Sequence, residues 1–109
     1  MKRLFLFVVI VELLLLSAVI SADEGDALFK SKGCRGCHKP DTSKAGRPSL
    51  KEISQAYQGK GKQLEAYFRG ESDPIVSPAK ARVMKRYIEK TKALSDEDRK
   101  LLVDYLLKH

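Results

Sequence analysis

The sequence predicts a small all-α domain behind an apolar leader. The first observation is a single apolar block at the start of a chain of 109 residues. The second is that apolar residues in the remainder recur at intervals of three and four, the spacing of one helix face. The third is that no stretch alternates apolar and polar residues as a half-buried strand does. The part after the block is long enough for one domain.

The apolar block at residues 4–20 has the form of a signal peptide. It is interrupted only by one Glu and one Ser, and a Lys-Arg pair precedes it, which are the h-region and n-region of an export signal. Cleavage after Ala22 predicts a signal peptide at residues 1–22 and a mature domain at residues 23–109, in the periplasm. The alternative is an uncleaved membrane anchor, although seventeen residues with a glutamate are short for a spanning helix.

The first half of the domain predicts two helices and a loop. Residues 27–29 follow several acids, which favour the positive end of a helix. Residues 38–48 are rich in Pro, Gly, Ser and Asp and predict a loop. Apolar positions at helical spacing predict a second helix over 49–58. Gly59 and Gly61 are expected to end it.

The second half predicts three further helices. One carries Leu64, Tyr67 and Phe68 and stops at Gly70, and a loop follows at residues 73–78. The next should open with Ser77 as its N-cap and Pro78 at its first position. It carries Val83, Met84, Tyr87 and Ile88. Ser95, with acids in the turn after it, caps the last helix, whose apolar face is Leu101, Leu102, Tyr105 and Leu106.

Cys34, Cys37 and His38 form a C-x-x-C-H motif, the attachment sequence of c-type haem. Two thiols three residues apart can each bond one vinyl group of the haem, and the adjacent imidazole reaches the iron. A thioredoxin-like redox pair also uses C-x-x-C but belongs to a fold with a central sheet. A zinc site needs about four ligands. The candidate ligands are the three residues of this motif and the terminal His109. One covalent haem c would supply the core that so short a chain lacks.

Met84 is the candidate for the second iron ligand, because it is the one methionine after the leader. A His/Met pair raises the reduction potential and suits electron transfer. Met84 as a simple core filler is the alternative reading, and His109 at the chain end is another candidate ligand. An empty sixth position would indicate gas binding instead.

The residues LFKSKGCRGCH at 28–38 resemble the haem entrance of the small bacterial class I cytochromes c, and the resemblance extends weakly over the mature chain. It implies that Cys34 and Cys37 hold the haem, that His38 is the proximal ligand and that the Pro48 carbonyl bonds the other ring nitrogen of His38. It also implies that Phe29 and Tyr105 lie where the first and last helices cross.

The sequence departs from that family in how it presents Met84. Many small members place the ligand methionine in an extended loop, whereas here the neighbours of Met84 recur at helical spacing. We therefore expect Met84 on a helical segment of roughly two to three turns.

The formal net charge of +7 is concentrated near the candidate site. Basic residues cluster around Met84 and flank the C-x-x-C-H motif, which predicts a basic surface that steers the protein onto acidic redox partners. Solvated helix faces are the simpler reading. No recognition motif indicates nucleic acid binding, and we expect a monomer.

These observations predict an exported monohaem c-type cytochrome that carries single electrons and is not an enzyme. By family analogy its donor is a quinol-oxidising complex and its acceptor a terminal oxidase or reductase. The alternative is a haem-based ligand sensor or small peroxidase with an open sixth site.

Overall fold

The computed structural model describes residues 24–109, and the predicted signal peptide at residues 1–22 lies outside them. Within this range the chain forms five α-helices and one 3₁₀ turn but no β-strand, and the only bridge in it pairs Lys44 with Arg47. The helices are α1 (24–31), α2 (Leu50–Ala56), α3 (Gly61–Phe68), α4 (Ala81–Lys92) and α5 (Asp96–Leu106), with the 3₁₀ turn at Pro78–Lys80. The predicted all-α class is confirmed.

The core lies where α3 packs against α5 and α4, and α2 also packs against α5. The buried apolar side chains are Phe29, Leu50, Tyr57, Leu64, Tyr67, Phe68, Leu102, Val103 and Leu106. They come from four helices and from Tyr57, the residue after α2. Most are the positions whose helical spacing marked them in the sequence.

Helices α1 and α5 cross in close contact at Gly25. A Cβ atom at this position would lie 2.7 Å from the Cβ of Tyr105 and 2.8 Å from the carbonyl oxygen of Leu101. One turn further along, the rings of Phe29 and Tyr105 lie 5.5 Å apart. The predicted contact of Phe29 with Tyr105 is therefore confirmed, and the absence of a side chain at Gly25 is what lets the two helices approach.

Side-chain caps begin α2 and α5. Ser49 accepts a hydrogen bond from the Glu52 amide at 3.0 Å, and Ser95 accepts one from the Asp98 amide at 3.1 Å. The predicted N-cap at Ser95 is confirmed, and the predicted helix over 49–58 is observed in a shorter form. Gly61 begins α3 instead of ending α2, so that detail of the prediction was wrong.

The entry to α4 differs from the sequence prediction. Ser77 has φ 49° and ψ 54°, a left-handed conformation, and its side chain makes no cap hydrogen bond. Pro78 begins the 3₁₀ turn, and the α-helix starts only at Ala81. The predicted N-cap at Ser77 was therefore wrong, because a residue in this conformation does not aim its hydroxyl at the amides of the next turn.

Candidate haem site

An apolar cleft opens into the core between α3, α4 and α5. About 760 Å³ of atom-free space lies in it, part of which is open solvent. The core side chains that line it are Phe29, Ile53, Tyr57, Leu64, Tyr67, Phe68, Leu102 and Leu106. Most of the apolar core thus faces this cleft, so a large apolar group bound there would be surrounded by it.

Cys34, Cys37 and His38 together line a second, adjoining hollow, which we call the mouth of the cleft. The mouth and the cleft share five lining residues, namely Cys34, His38, Gly46, Met84 and Tyr87. The chain makes a tight turn here, in which the amides of Cys37 and His38 both donate to the carbonyl of Cys34, at 3.3 and 3.0 Å. Both cysteines are free thiols and half-buried. The turn therefore presents two thiols and one imidazole to the same opening.

His38 is oriented by a backbone contact. Its ring is buried, and Nδ1 lies 2.7 Å from the carbonyl oxygen of Pro48. A carbonyl can only accept, so Nδ1 carries the proton and Nε2 keeps a free lone pair, the form in which imidazole binds a metal. The predicted contact between these two residues is present.

The loop that carries Pro48 is held by two serines that the sequence did not single out. The amide of Ser49 donates to the Ser43 hydroxyl at 3.0 Å, and that hydroxyl donates to the Glu52 carboxylate at 2.7 Å. These bonds fix the backbone directly after Pro48, and with it the carbonyl that faces His38. The capping pattern of Ser49 and Glu52 was the available signal.

Met84 lies on α4 and lines both the cleft and its mouth, as His38 does. Met84, Tyr87 and Thr91 all line the cleft and are spaced as one helix face. The predicted helical presentation is confirmed, since α4 spans Ala81–Lys92. Val83, one residue earlier, points outward with 62% of its surface exposed.

His109, the other candidate ligand, lies elsewhere. Its Nδ1 is 3.0 Å from the carbonyl oxygen of Tyr105, and its exposed ring lies 4.8 Å from the Tyr105 ring. It is not among the residues that line the cleft. The structure thus brings Met84 and His38 to one cleft and leaves His109 at the end of α5.

Two buried tyrosines form part of the cleft wall, and sequence reasoning treated them only as core. The Tyr57 hydroxyl accepts a hydrogen bond from the Ile75 amide at 3.2 Å. Burial raises the pKa of Tyr57, and burial together with the nearby Tyr57 raises the pKa of Tyr67 to about 12. Both phenols are therefore neutral, and they add no charge to an apolar wall.

The mouth of the cleft is basic. Arg47 and Arg86 line it, and the Arg86 and Lys90 charges each lie 5.3 Å from the centre of the Tyr87 ring. Burial raises the pKa of the Cys34 thiol, against the opposing effect of the Lys90 charge. Lys90 on α4 therefore lies near the attachment turn.

No helix within residues 24–109 is both long enough and apolar enough to cross a bilayer.

An all-α domain with a C-x-x-C-H turn at the mouth of an apolar cleft is a c-type haem protein. A sequence profile described as "Cytochrome c" matches residues 22–109, so the chain belongs to the cytochrome c family. It is 50% identical over 38 residues to cytochrome c-551 of Stutzerimonas stutzeri, a match that spans 35% of this chain and 36% of that relative. The resemblance to a small class I cytochrome c is confirmed.

The residues of the cleft fit a covalent haem c, the cofactor of this family. Two thiols stand at the mouth, the imidazole beside them has a free Nε2, and the thioether of Met84 faces the same cleft. The walls are almost entirely apolar, which matches the faces of a haem macrocycle. Within residues 24–109 no three His, Cys, Asp or Glu side chains are arranged to ligate a metal ion such as zinc directly.

Proposed function

We propose that this protein is an exported one-electron carrier with His/Met ligation of a single haem. Cys34 and Cys37 hold the haem through thioether bonds, and His38 and Met84 bind its iron. The observation that carries the proposal is that His38 and Met84, from distant parts of the chain, line one apolar cleft. Bound there, the haem supplies an Fe(II)/Fe(III) couple.

The protein contributes the surroundings of that couple. The Pro48 carbonyl keeps the proton on Nδ1 of His38, which raises the basicity of the ligating nitrogen. The thioether of Met84 and the apolar walls both favour the reduced, less charged iron and raise the potential. No part of this arrangement requires a substrate, so the proposed activity is electron transfer and not catalysis.

The alternative, a ligand sensor or small peroxidase, requires an open sixth position, and the test is therefore spectroscopic. We expect low-spin iron in both oxidation states and a weak thioether band at the red end of the oxidised spectrum. Met84→Ala should abolish this band, make the iron high-spin or ligand-exchangeable, and lower the potential. An unchanged spectrum and potential would exclude Met84 as the ligand. The function as a ligand sensor or small peroxidase would then be favoured.

The periplasm is the proposed location, supported by the signal-like residues 1–22 and by the attachment of c-type haem outside the cytoplasm. N-terminal sequencing of the protein from a periplasmic extract tests this directly. A chain that begins at Asp23 supports export with cleavage. A chain that begins at Met1 and sediments with membranes would show that the segment is retained as an anchor.

Acidic redox proteins are the proposed partners, by analogy a quinol-oxidising donor and an oxidase or reductase acceptor. The support is the basic charge of α4 beside the cleft mouth, where Arg86 lines the opening and Lys85 is exposed. Attraction between opposite charges is screened over about 10 Å at 0.1 M salt. Electron transfer to an acidic partner should therefore slow as ionic strength rises.

Charge reversal on α4 tests this surface. K85E/R86E should slow electron transfer at low salt and flatten its salt dependence. K60E/K62E changes the net charge equally, at exposed positions that do not line the mouth, and should have much less effect. Equal effects of the two pairs would assign the steering to net charge alone.

A further inference from the structure

Arg99 is a buried cation, and three of its four side-chain hydrogen bonds go to the carboxyl end of α4 and to Leu94 just beyond it. Only 5% of its surface is exposed, although it lies in the first turn of α5. Its Nε donates to the Thr91 carbonyl at 3.2 Å, and one terminal nitrogen donates to the carbonyls of Leu94 and Lys92 at 2.6 and 3.4 Å. The other terminal nitrogen pairs with Asp96 at 2.7 Å.

The position of Arg99 is unfavourable for its own helix. The first turn of a helix has positive polarity and favours acids, as in the rest of this turn of α5. Burying a guanidinium also costs free energy unless its donors are paired. Its location is favourable for α4, because the last carbonyls of a helix lack partners within it and carry negative polarity.

Two anchors thus hold the carboxyl end of α4. Beside the Arg99 bonds, the Thr91 hydroxyl donates to the carbonyl of Phe68, the last residue of α3, at 2.8 Å. The other end of α4 has no side-chain cap and is entered through the 3₁₀ turn. The position of this amino end of α4 depends on its packing against the cleft and on the rigidity of the helix.

Met84 is near this uncapped end of α4. It lies seven residues before Thr91 on the same helix face, a distance of about 10 Å along the axis. A helix moves as a rigid segment over two turns, so a shift or rotation at Thr91 also moves Met84. The bonds at the carboxyl end can therefore act together with packing against the cleft to set where the sulfur lies.

We propose that Arg99 is a positioning residue for Met84, holding the end of α4 so that the sulfur stays at the iron. The inference rests on the proposed ligation by Met84. Its consequence is that loss of the Arg99 bonds lets α4 swing and the sulfur leave, while the haem stays attached at Cys34 and Cys37. An added ligand then binds the iron more easily.

The experiment is an imidazole titration of the oxidised holoprotein, followed by the loss of the red thioether band. Arg99→Gln should raise the apparent affinity for imidazole about tenfold or more, since it removes bonds from a charged donor to buried carbonyls. Arg99→Lys keeps the charge but not the fork of donors, and should fall between Arg99→Gln and the wild type. Amide exchange should rise in α4 and stay unchanged in α1.

Ser54→Ala is the matched control. Its hydroxyl is fully buried and donates to the Leu107 carbonyl at 3.1 Å, which joins α2 to α5 without touching α4. This variant should lose stability yet keep the wild-type imidazole affinity. Equal affinities in Arg99→Gln, Ser54→Ala and the wild type would overturn the proposal, because Arg99 would then be merely structural.

Two further variants keep the test decisive. If Arg99→Gln does not accumulate as folded protein, Thr91→Val removes the other anchor and should also raise imidazole affinity several-fold; an unchanged affinity there would overturn the proposal. Met84→Ala separates the two inferences. If it binds imidazole no better than the wild type, Met84 is not the ligand, and the proposed ligation fails independently of Arg99.

Discussion

The two sides of the cleft are built in different ways. On one side Cys34, Cys37 and His38 lie within five consecutive residues, joined by local hydrogen bonds and oriented by Pro48. On the other side Met84 lies 46 residues after His38, on a helix whose hydrogen-bonded anchors within residues 24–109 are all at its far end. A short contiguous segment thus specifies the first side, whereas packing between helices specifies the second.

This difference implies that the Met84 side of the cleft opens more easily than the attachment side. In the proposed holoprotein the attachment side is short and joined covalently to the haem, so its geometry changes little without breaking a bond. The Met84 side can separate by a movement of α4 while every covalent bond stays intact. We therefore expect ligand exchange and local opening to begin at α4.

The largest expected effect on stability comes from replacing both cysteines of the attachment side. Cys34→Ser with Cys37→Ser prevents both thioether bonds, so the apolar cleft loses the group that would fill it. The loss should exceed about 5 kcal/mol, the lower limit of typical domain stability. Circular dichroism should show little helix and no cooperative melt.

The single variants Cys34→Ser and Cys37→Ser are the controls, because each retains one thioether. They should fold and melt below the wild type. A double variant that melts cooperatively at the wild-type temperature would show that the apolar core is stable without the haem, and the contrast between the two sides would lose its basis.

The attachment side is also the part that could be predicted from sequence. C-x-x-C-H needs only local spacing, and the contact between His38 and Pro48 followed from the family resemblance and is present in the structure. The cap at Ser95 depends on residues within one turn. In each case the interacting groups lie close together in the sequence or in a motif that fixes their relation.

Apart from the Phe29–Tyr105 contact, which the family resemblance implied, features determined by packing between helices were not predicted. Ser77 and Pro78 carried a valid capping signal, yet the chain enters α4 through a left-handed residue and a 3₁₀ turn. Val83 shared the apolar pattern of α4 but lies on its outer face. Arg99 gave no signal, because its partners belong to the preceding helix. Such outcomes depend on how elements pack, which local propensity does not encode.

The next largest effect concerns the helix contact next to the attachment turn. Gly25→Ala places a Cβ 2.7 Å from Tyr105 and 2.8 Å from the Leu101 carbonyl, so α1 and α5 must separate. We expect a loss of about 1–3 kcal/mol, measured by urea unfolding of the holoprotein. Gly36→Ala is the control, since a Cβ there meets nothing within 4 Å. Equal losses would show that the α1–α5 contact is not tight.

Tyr67 in the wall of the cleft is expected to affect the free energy of unfolding at alkaline pH. Tyr67 has a pKa of about 12 in the folded protein against 10.0 for the free side chain. Folding therefore favours the neutral phenol, and this stabilisation is complete below pH 10 and is lost as the pH rises from 10 to 12. Tyr67→Phe should reduce the loss of unfolding free energy over this window by about 2 kcal/mol.

The measurement is urea unfolding of both proteins at about pH 9 and about pH 11, an interval that captures roughly 1.3 kcal/mol of this difference. Tyr57 and Tyr105 also have raised pKa values because of burial, so the variant should keep some alkaline loss. Parallel stability curves for the two proteins would show that Tyr67 ionises as freely in the folded state as in the unfolded chain.

The smallest expected effect on stability comes from Arg35 on the attachment side, the counterpart of Arg99 on the Met84 side. Arg35, inside the attachment motif, pairs with Asp26 at 2.6 Å, and Asp26 also accepts from the Tyr105 hydroxyl at 3.0 Å. The Arg35 and Asp26 side chains are 50% and 45% exposed, and such pairs contribute less than about 1 kcal/mol. Arg35→Gln should thus cost less than about 1 kcal/mol, leave imidazole affinity unchanged and lose its effect at high salt. If instead it loosened the Met84 sulfur as Arg99→Gln should, the two sides would be coupled through α5 and could not be treated as separate.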